Sequence, residues 1–270
     1  MKAPGNFVRQ RFYFPWIWMR AFGVDGAIMF YGLRGLPSYL RDYCTLRRQL
    51  KGHGNGWGLR LSMPCLHDRY TQSGIASGHY FHQDLLVASR VYERKPRRHV
   101  DVGSSVAGFV AHIAVFRQVE VFDIRPLSTA VKNIVFRQCD LTSVPPEYEG
   151  CCDSLSCLHA LEHFGLGRYS DRIDSEGHLK GLRSLHKLLE ADGILYLSVP
   201  IGRQRIEFNA HRVFAVSTVM GMLRDGFEII GFSYVDDDGM LHESAELDQR
   251  SSARSFGLRY GCGIFECRKK

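Results

Sequence analysis

An α/β fold built on a mostly parallel sheet, with helices on both faces, is what three features of this 270-residue sequence predict. From about residue 98 onward, short apolar runs of strand length alternate with amphipathic runs of helix length. A glycine turn, Asp101-Val102-Gly103-Ser104-Ser105, separates the first apolar run from the first amphipathic one. A carboxylate, Asp123, ends the next strand 20 residues after Gly103.

Taken in order, residues 1–75 read as a helical extension rich in arginine and aromatics, with a glycine-rich joint over 52–58. Residues 76–270 read as the α/β domain. Phe81, Leu85, Leu86, Val87, Ala88 and Val91 recur near helical spacing and predict a helix leaning on the sheet. His99–Val102 is the first strand, and Val106, Phe109, Val110, Ile113 and Phe116 stripe the helix after it. Val119–Asp123, Ile134–Phe136 and Asp153–Leu158 follow as strands. Leu179, Leu182, Leu185, Leu188 and Leu189 mark a helix stopped by Asp192-Gly193, and Ile194–Val199 is the fifth strand. Val216–Leu223 supplies a last helix, and Phe227–Tyr234 with Tyr260–Cys267 bring the expected strands to seven.

Charge is divided unevenly. Residues 1–98 hold 16 Lys and Arg against 5 Asp and Glu, whereas residues 99–270 hold 19 against 23. A basic front segment suits an anionic membrane, a nucleic acid or a phosphorylated glycan carrier, and equally a solvated helical face. The apolar stretch from Phe12 to Leu36 is interrupted by Arg20, Asp25 and Arg34, so it is expected to pack on the main domain or lie on a membrane surface. Several of the eight cysteines fall inside predicted strands, where thiols pack as small apolar groups. Together with the absence of a signal-peptide pattern, they point to a cytoplasmic protein.

Ligands of such sheets bind at the carboxyl ends of the strands, which selects the candidate residues. Asp123 is placed to accept both hydroxyls of a ribose, with Ile124 beside it. Asp101, Gly103 and Ser105 belong to the turn below, and Asp140 with Leu141 suits the edge of a base, although Asp140 also suits a turn. The loop carries neither the lysine of a phosphate-binding loop nor the third glycine of a dinucleotide loop. A nucleoside without a pyrophosphate fits it better, which points to S-adenosyl-L-methionine.

The fourth strand ends at His159-Ala160-Leu161-Glu162-His163. An activated methyl group asks the protein mainly to align the acceptor and remove its proton, work suited to a histidine near pH 7. His159 is the first candidate base, with His163 and His211 as alternatives. Glu162, Arg168, Tyr169, Asp171, Asn209 and Arg212 are candidate acceptor ligands, and the glycine-flanked run Gly165–Asp174 suits a mobile lid or clamp. Cys151, Cys152, Cys157, His159 and His163 match no closed zinc spacing, so no metal is expected from them.

With these residues in view, the segment order from about 98 to 267 resembles the class I S-adenosylmethionine-dependent methyltransferases, which implies a Rossmann-like sheet. Tyr80-Phe81-His82-Gln83-Asp84-Leu85, Ser154–His163 with Gly165-Leu166-Gly167-Arg168-Tyr169, and Phe208-Asn209-Ala210-His211-Arg212 more narrowly resemble a bacterial and nematode family defined only as a domain of unknown function. That resemblance implies a methyltransferase acting on a sugar hydroxyl of a lipo-oligosaccharide or surface polysaccharide, with a glycan or glycolipid as partner. Ser105 and Ala107 depart from the class, whose loops prefer glycine there, and this departure leaves a catalytically degenerate scaffold as an alternative. An RNA methyltransferase is a third reading, disfavoured because no stacking module accompanies the basic segment.

Overall fold

A computed structural model describes residues 17–53 and 57–270. The expected helical character of residues 1–16 and the centre of the glycine-rich joint, 54–56, lie outside the described residues. The chain divides between Ile75 and Ala76 into two units.

The first unit is dominated by helix α1, Gly26–His53, with Pro37 inside it. Asp25 caps its start, its Oδ1 accepting the backbone N–H groups of Ala27 and Ile28 at 2.9 and 3.3 Å. The chain returns across Gly35 so closely that a β-carbon there would meet the Leu66 carbonyl oxygen at 1.9 Å. Only glycine fits that crossing.

The second unit opens with α2, His79–Arg94, and β1, His99–Val102. A π-turn over Val106–Val110 leads into α3, Ala111–Ala114. Then come β2 (Val119–Asp123), β3 (Ile134–Gln138), β4 (Cys152–Leu158), α4 (Gly177–Leu188) and β5 (Leu189–Ile201). A hairpin of β6 (Arg205–Glu207) and β7 (His211–Val213) precedes α5 (Val216–Leu223) and β8 (Phe227–Val235). β9 (Leu241–His242), α6 (Gln249–Ala253) and β10 (Gly261–Lys269) complete it.

The main sheet runs β3-β2-β1-β4-β5-β10-β8-β9. Neighbours from β3 to β5 pair in parallel, whereas β10 pairs antiparallel with both β5 and β8. On one face Leu185, Leu188, Val216 and Val219 of α4 and α5 pack on Val100, Leu155 and Leu197. On the other, Val87, Val91, Phe109 and Ile113 pack on Val119, Val121 and Tyr196. Burial on both faces is why these strands read as continuous apolar runs.

Three expectations are corrected. The sheet has eight strands, because the two-residue β9 pairs with the end of β8 and is too short to leave a periodic signal. The segment after β1 does not start as a regular helix. Gly108 sits at φ −106°, ψ −107°, where a β-carbon would approach Asp84 Oδ2 to 2.5 Å, so the turn widens around the Asp84 carboxylate. Helix α4 ends at Leu188, and Asp192-Gly193 lies instead within β5, where the register against β4 shifts.

Candidate functional site

The turn after β1 is fixed from below by a polar network. Asp101 is fully buried, and its two oxygens accept Ser104 Oγ at 2.6 Å, Ser156 Oγ at 2.6 Å and Ser104 N at 3.1 Å. Burial raises its pKa to about 6 against the pull of those serine bonds. Ser104 Oγ also accepts the Leu158 N–H at 3.1 Å, tying the turn to the tip of β4. On the same strand, His99 Nε2 lies 3.2 Å from Ser156 Oγ and His99 Nδ1 lies 2.8 Å from Ser154 Oγ. Asp101 therefore shapes the loop from beneath and lines neither cavity above it. Gly103 adopts φ +68°, and a β-carbon there would press to 2.9 Å of Ala160.

Two adjoining cavities open above this turn and share Gly103, Asp123, Arg125, His163 and Tyr169. The first is walled by Phe122, Ile124, Asp140, Leu141 and Asp171. The second is walled by Tyr80, Ser105, Leu158 and His159. Asp140 reaches the first cavity while its Oδ1 accepts the Thr142 N–H and hydroxyl at 2.9 and 2.8 Å, so it is both lining and turn residue.

Asp123 does not face open solvent. Arg125 grips it through Nε at 3.1 Å and Nη2 at 2.7 Å, and the Arg125 N–H adds a bond of 2.8 Å. The hydrogen bonds and charge of Asp123 raise the Arg125 pKa in turn, against the opposing effect of burial. The guanidinium lies 4.3 Å over the Tyr169 ring. Among the described residues lining the two cavities, Arg125 is the only lysine or arginine.

His159, at the tip of β4 with φ +50°, is buried, and its Nδ1 lies 2.8 Å from Glu162 Oε1. Burial pushes its pKa down, but Cys262 and Glu162 outweigh that and hold it well above the ordinary histidine value. Its Nε2 is buried without a hydrogen-bond partner. His163 differs in every respect that matters for proton removal. Its Nδ1 meets the Ala210 carbonyl at 2.6 Å, and because a carbonyl only accepts, that nitrogen carries the proton and Nε2 keeps its lone pair. Burial lowers its pKa, with the Glu162 charge opposing. His163 also stands where the two cavities join, whereas His159 lines only the second.

His211 lies on β7 with its ring 6.4 Å from that of His163 and 5.2 Å from that of Tyr260. Rings thus follow one another around the site. Tyr80 meets His159 at 5.1 Å, His159 meets His79 at 5.2 Å, and His79 meets Tyr260 at 5.2 Å.

The expected acceptor ligands are placed differently from one another. Asp171 lines the first cavity, but its carboxylate is occupied by the N–H groups of Gly165, Gly167 and Tyr169 at 2.9, 3.2 and 3.1 Å. Arg168 reaches the Ala210 carbonyl at 3.1 Å. Arg212 is buried and donates to the carbonyls of Phe164, Glu162, Ser175 and Asp174 at 2.7, 3.3, 3.3 and 3.5 Å, binding the 162–175 segment to β7. The glycine-flanked run is therefore cross-linked from both sides. Asn209, at φ +60°, is an exposed residue of the β6–β7 turn and lines neither cavity.

Sequence reading missed Arg125 as the partner of Asp123, and it missed His79, Tyr260 and Cys262. Arg125, two residues beyond Asp123, was within reach of sequence logic. Cys262 arrives only through β10, more than 100 residues away from His159, and left no local signal.

Residues 126–257, just under half of the chain, match the family described as "Caenorhabditis protein of unknown function, DUF268". No curated protein sequence matches the chain. Among solved structures, the [4+2]-cyclase SpnF is similar at TM-score 0.50 and 16% identity, over 73% of this chain and 88% of that one. The Burkholderia thailandensis 1,6-didemethyltoxoflavin-N1-methyltransferase, solved with 1,6-didemethyltoxoflavin and S-adenosylhomocysteine, gives 0.49 and 16%, over 70% and 78%. The N-methyltransferase NodS from Bradyrhizobium japonicum WM9, in complex with S-adenosylhomocysteine, gives 0.47 and 12%, over 71% and 88%. The likeness to SpnF shows a shared Rossmann-like α/β fold.

Proposed function

We propose that this protein is an S-adenosylmethionine-dependent methyltransferase that acts on a hydroxyl group, with a sugar of a surface glycan or glycolipid as acceptor. One observation carries the reading: Asp123, at the tip of β2, faces the same cavity as the Gly103 turn, Ile124, Asp140 and Leu141, while His163 stands at the passage to a second cavity. The residues fit a nucleoside whose ribose is held by a carboxylate and whose base lies among Phe122, Ile124 and Leu141. They offer no cation for a diphosphate beyond Arg125, which Asp123 already holds.

When bound, the cofactor supplies an already activated methyl group. Asp123 would hold the ribose hydroxyls in place of Arg125, and Asp140 with the Leu141 backbone would border the base. The acceptor hydroxyl enters the second cavity, which Tyr80 and Tyr169 help to wall. His163 Nε2 takes the hydroxyl proton, its own Nδ1–H anchored on Ala210. The buried Glu162 carboxylate, with Nε2 of His163 at 3.8 Å from its Oε1, steadies the imidazolium so formed.

The first unit suits attachment to an anionic surface. Along α1, exposed Ile28, Met29, Phe30, Leu33 and Leu40 share the helix with Arg34, Arg41, Arg47, Arg48 and Lys51. No described helix is long and apolar enough to cross a membrane.

Calorimetric titration of the full chain with S-adenosylhomocysteine tests the cofactor. Asp123→Ala removes two charge-assisted bonds of about 1.5–3 kcal/mol each but also relieves the displacement of Arg125, so binding weaker by about 5-fold or more is expected. Unchanged binding in Asp123→Ala, or none in the parent, rejects the assignment. Labelled S-adenosylmethionine incubated with extracts of the source organism then reads the acceptor, label in glycan supporting the sugar and label in RNA opposing it. The Asp123–Arg125 closure also favours a second reading, a scaffold whose carboxylate is permanently neutralised, which the same titration separates from the first.

A further inference from the structure

Beside the second cavity, three side chains of metal-ligating type converge from elements far apart in the chain. They are His79 at the start of α2, His159 at the tip of β4 and Cys262 on β10, with one donor atom from each lying within 4.8 Å of the other two. We propose that His79, His159 and Cys262 form a zinc site.

The geometry around each donor is that of a prepared ligand. His159 Nδ1 is held by Glu162 Oε1 at 2.8 Å, while its Nε2 is buried with no hydrogen-bond partner, so a cation bound there takes the place of the Nε2 proton. A carboxylate on the far nitrogen is the arrangement that orients metal-bound histidines and raises their basicity. A ring N–H of His79 donates to the Tyr260 backbone carbonyl, which orients that imidazole in turn. Its ring is stacked on that of His159, with centroids 5.2 Å apart and planes 10° from parallel. Cys262 is fully buried, and its longest-range contact is a 3.6 Å approach to Gln83 Oε1.

Two imidazoles and one thiolate are a borderline-soft set, suited to zinc rather than to magnesium or calcium. Tetrahedral zinc with bonds of about 2.0–2.3 Å spaces its donors about 3.3–3.6 Å apart. Closing from 4.8 Å therefore asks for movement of about 1 Å, available to His79, the least buried of the three. Three protein donors leave one tetrahedral position for a water or an acceptor oxygen. His159 is the ligand that borders the cavity. The metal site does not depend on the cofactor assignment.

Metal analysis of the purified full chain, followed by Co²⁺ titration of the metal-stripped protein, provides the test. One equivalent of bound zinc is expected, and Co²⁺ should give the intense visible bands of a four-coordinate site with a thiolate-to-cobalt band in the near ultraviolet. Cys262→Ser should abolish the thiolate band. Glu162→Gln, which leaves all three donors in place, should weaken Co²⁺ binding about 10- to 100-fold. His79→Ala, at the less buried helix start, should lose the four-coordinate spectrum while circular dichroism stays native. Only the weak spectrum of solvated Co²⁺ in the parent protein, or a thiolate band that survives in Cys262→Ser, overturns the proposal.

Discussion

Arg125→Ala should make this protein bind S-adenosylhomocysteine more tightly. In the structure Asp123, the carboxylate proposed for the ribose, is already taken by the Arg125 guanidinium, and a bound cofactor would have to displace it. The displacement breaks a partly exposed ion pair worth about 0.2–1 kcal/mol. It also breaks an exposed stack on Tyr169 worth about 0.5–1 kcal/mol. Together these amount to about 0.7–2 kcal/mol, or about a 3- to 30-fold gain in affinity when the side chain is removed. The Arg125 N–H still supports Asp123 in the variant, so the carboxylate keeps its orientation. Calorimetry at two salt concentrations reads the effect. Screening should narrow the gap between variant and parent, because the competing pair is the salt-sensitive element. Unchanged or weaker binding in Arg125→Ala would show that the arginine holds the cofactor rather than the empty site.

Three further outcomes follow from the same contacts. His163→Ala should lower kcat by about 10²–10⁴-fold, and the parent's activity should fall on acidification with a midpoint below 6.5, since burial lowers the His163 pKa and the neutral ring is the base. His99 is fully buried with its pKa pushed down to about 3, so its contribution to stability is complete above pH 6.5 and is lost as pH falls toward 3. That loss is on the order of 5 kcal/mol, and because the raised pKa of buried Asp101 acts in the opposite sense over part of the same window, the test is the difference between variants: the urea midpoint of His99→Asn should fall less on acidification than that of the parent. The full chain should sediment with anionic vesicles and not with neutral ones, and a combined Arg41→Glu, Arg47→Glu, Arg48→Glu variant should stay in solution; equal binding to both vesicle types would remove charge from the explanation.

The strands were legible because parallel strands buried on both faces leave unbroken apolar runs, and the polar residues ending them mark the binding edge. Val119–Asp123 needed nothing beyond that pattern. The π-turn was not legible, since Val106, Phe109, Val110 and Ile113 stripe a widened turn as readily as a regular helix, and what widens it is Asp84 from another element. The same limit applies at the site. Asp123 and Asp140 could be singled out from their positions at or just after strand ends, and His163 from the polar turn that follows β4. Whether Asp101 meets a ligand or two serines, and whether His159 points its free nitrogen at a cavity or at Cys262, depends on neighbours brought by β4 and β10.

Arg212 carries a consequence for how the site opens. One guanidinium gathers the carbonyls of residues 162, 164, 174 and 175, while the Asp171 carboxylate stitches the interior of the same segment. A flap hinged at its two glycines would have to sever these bonds together, whereas a segment and hairpin that travel as one body break none of them. Access to the cavities beside it would then open by displacement of a block rather than by the flicker of a loop. Such a motion would belong to the microsecond-to-millisecond range of collective shifts.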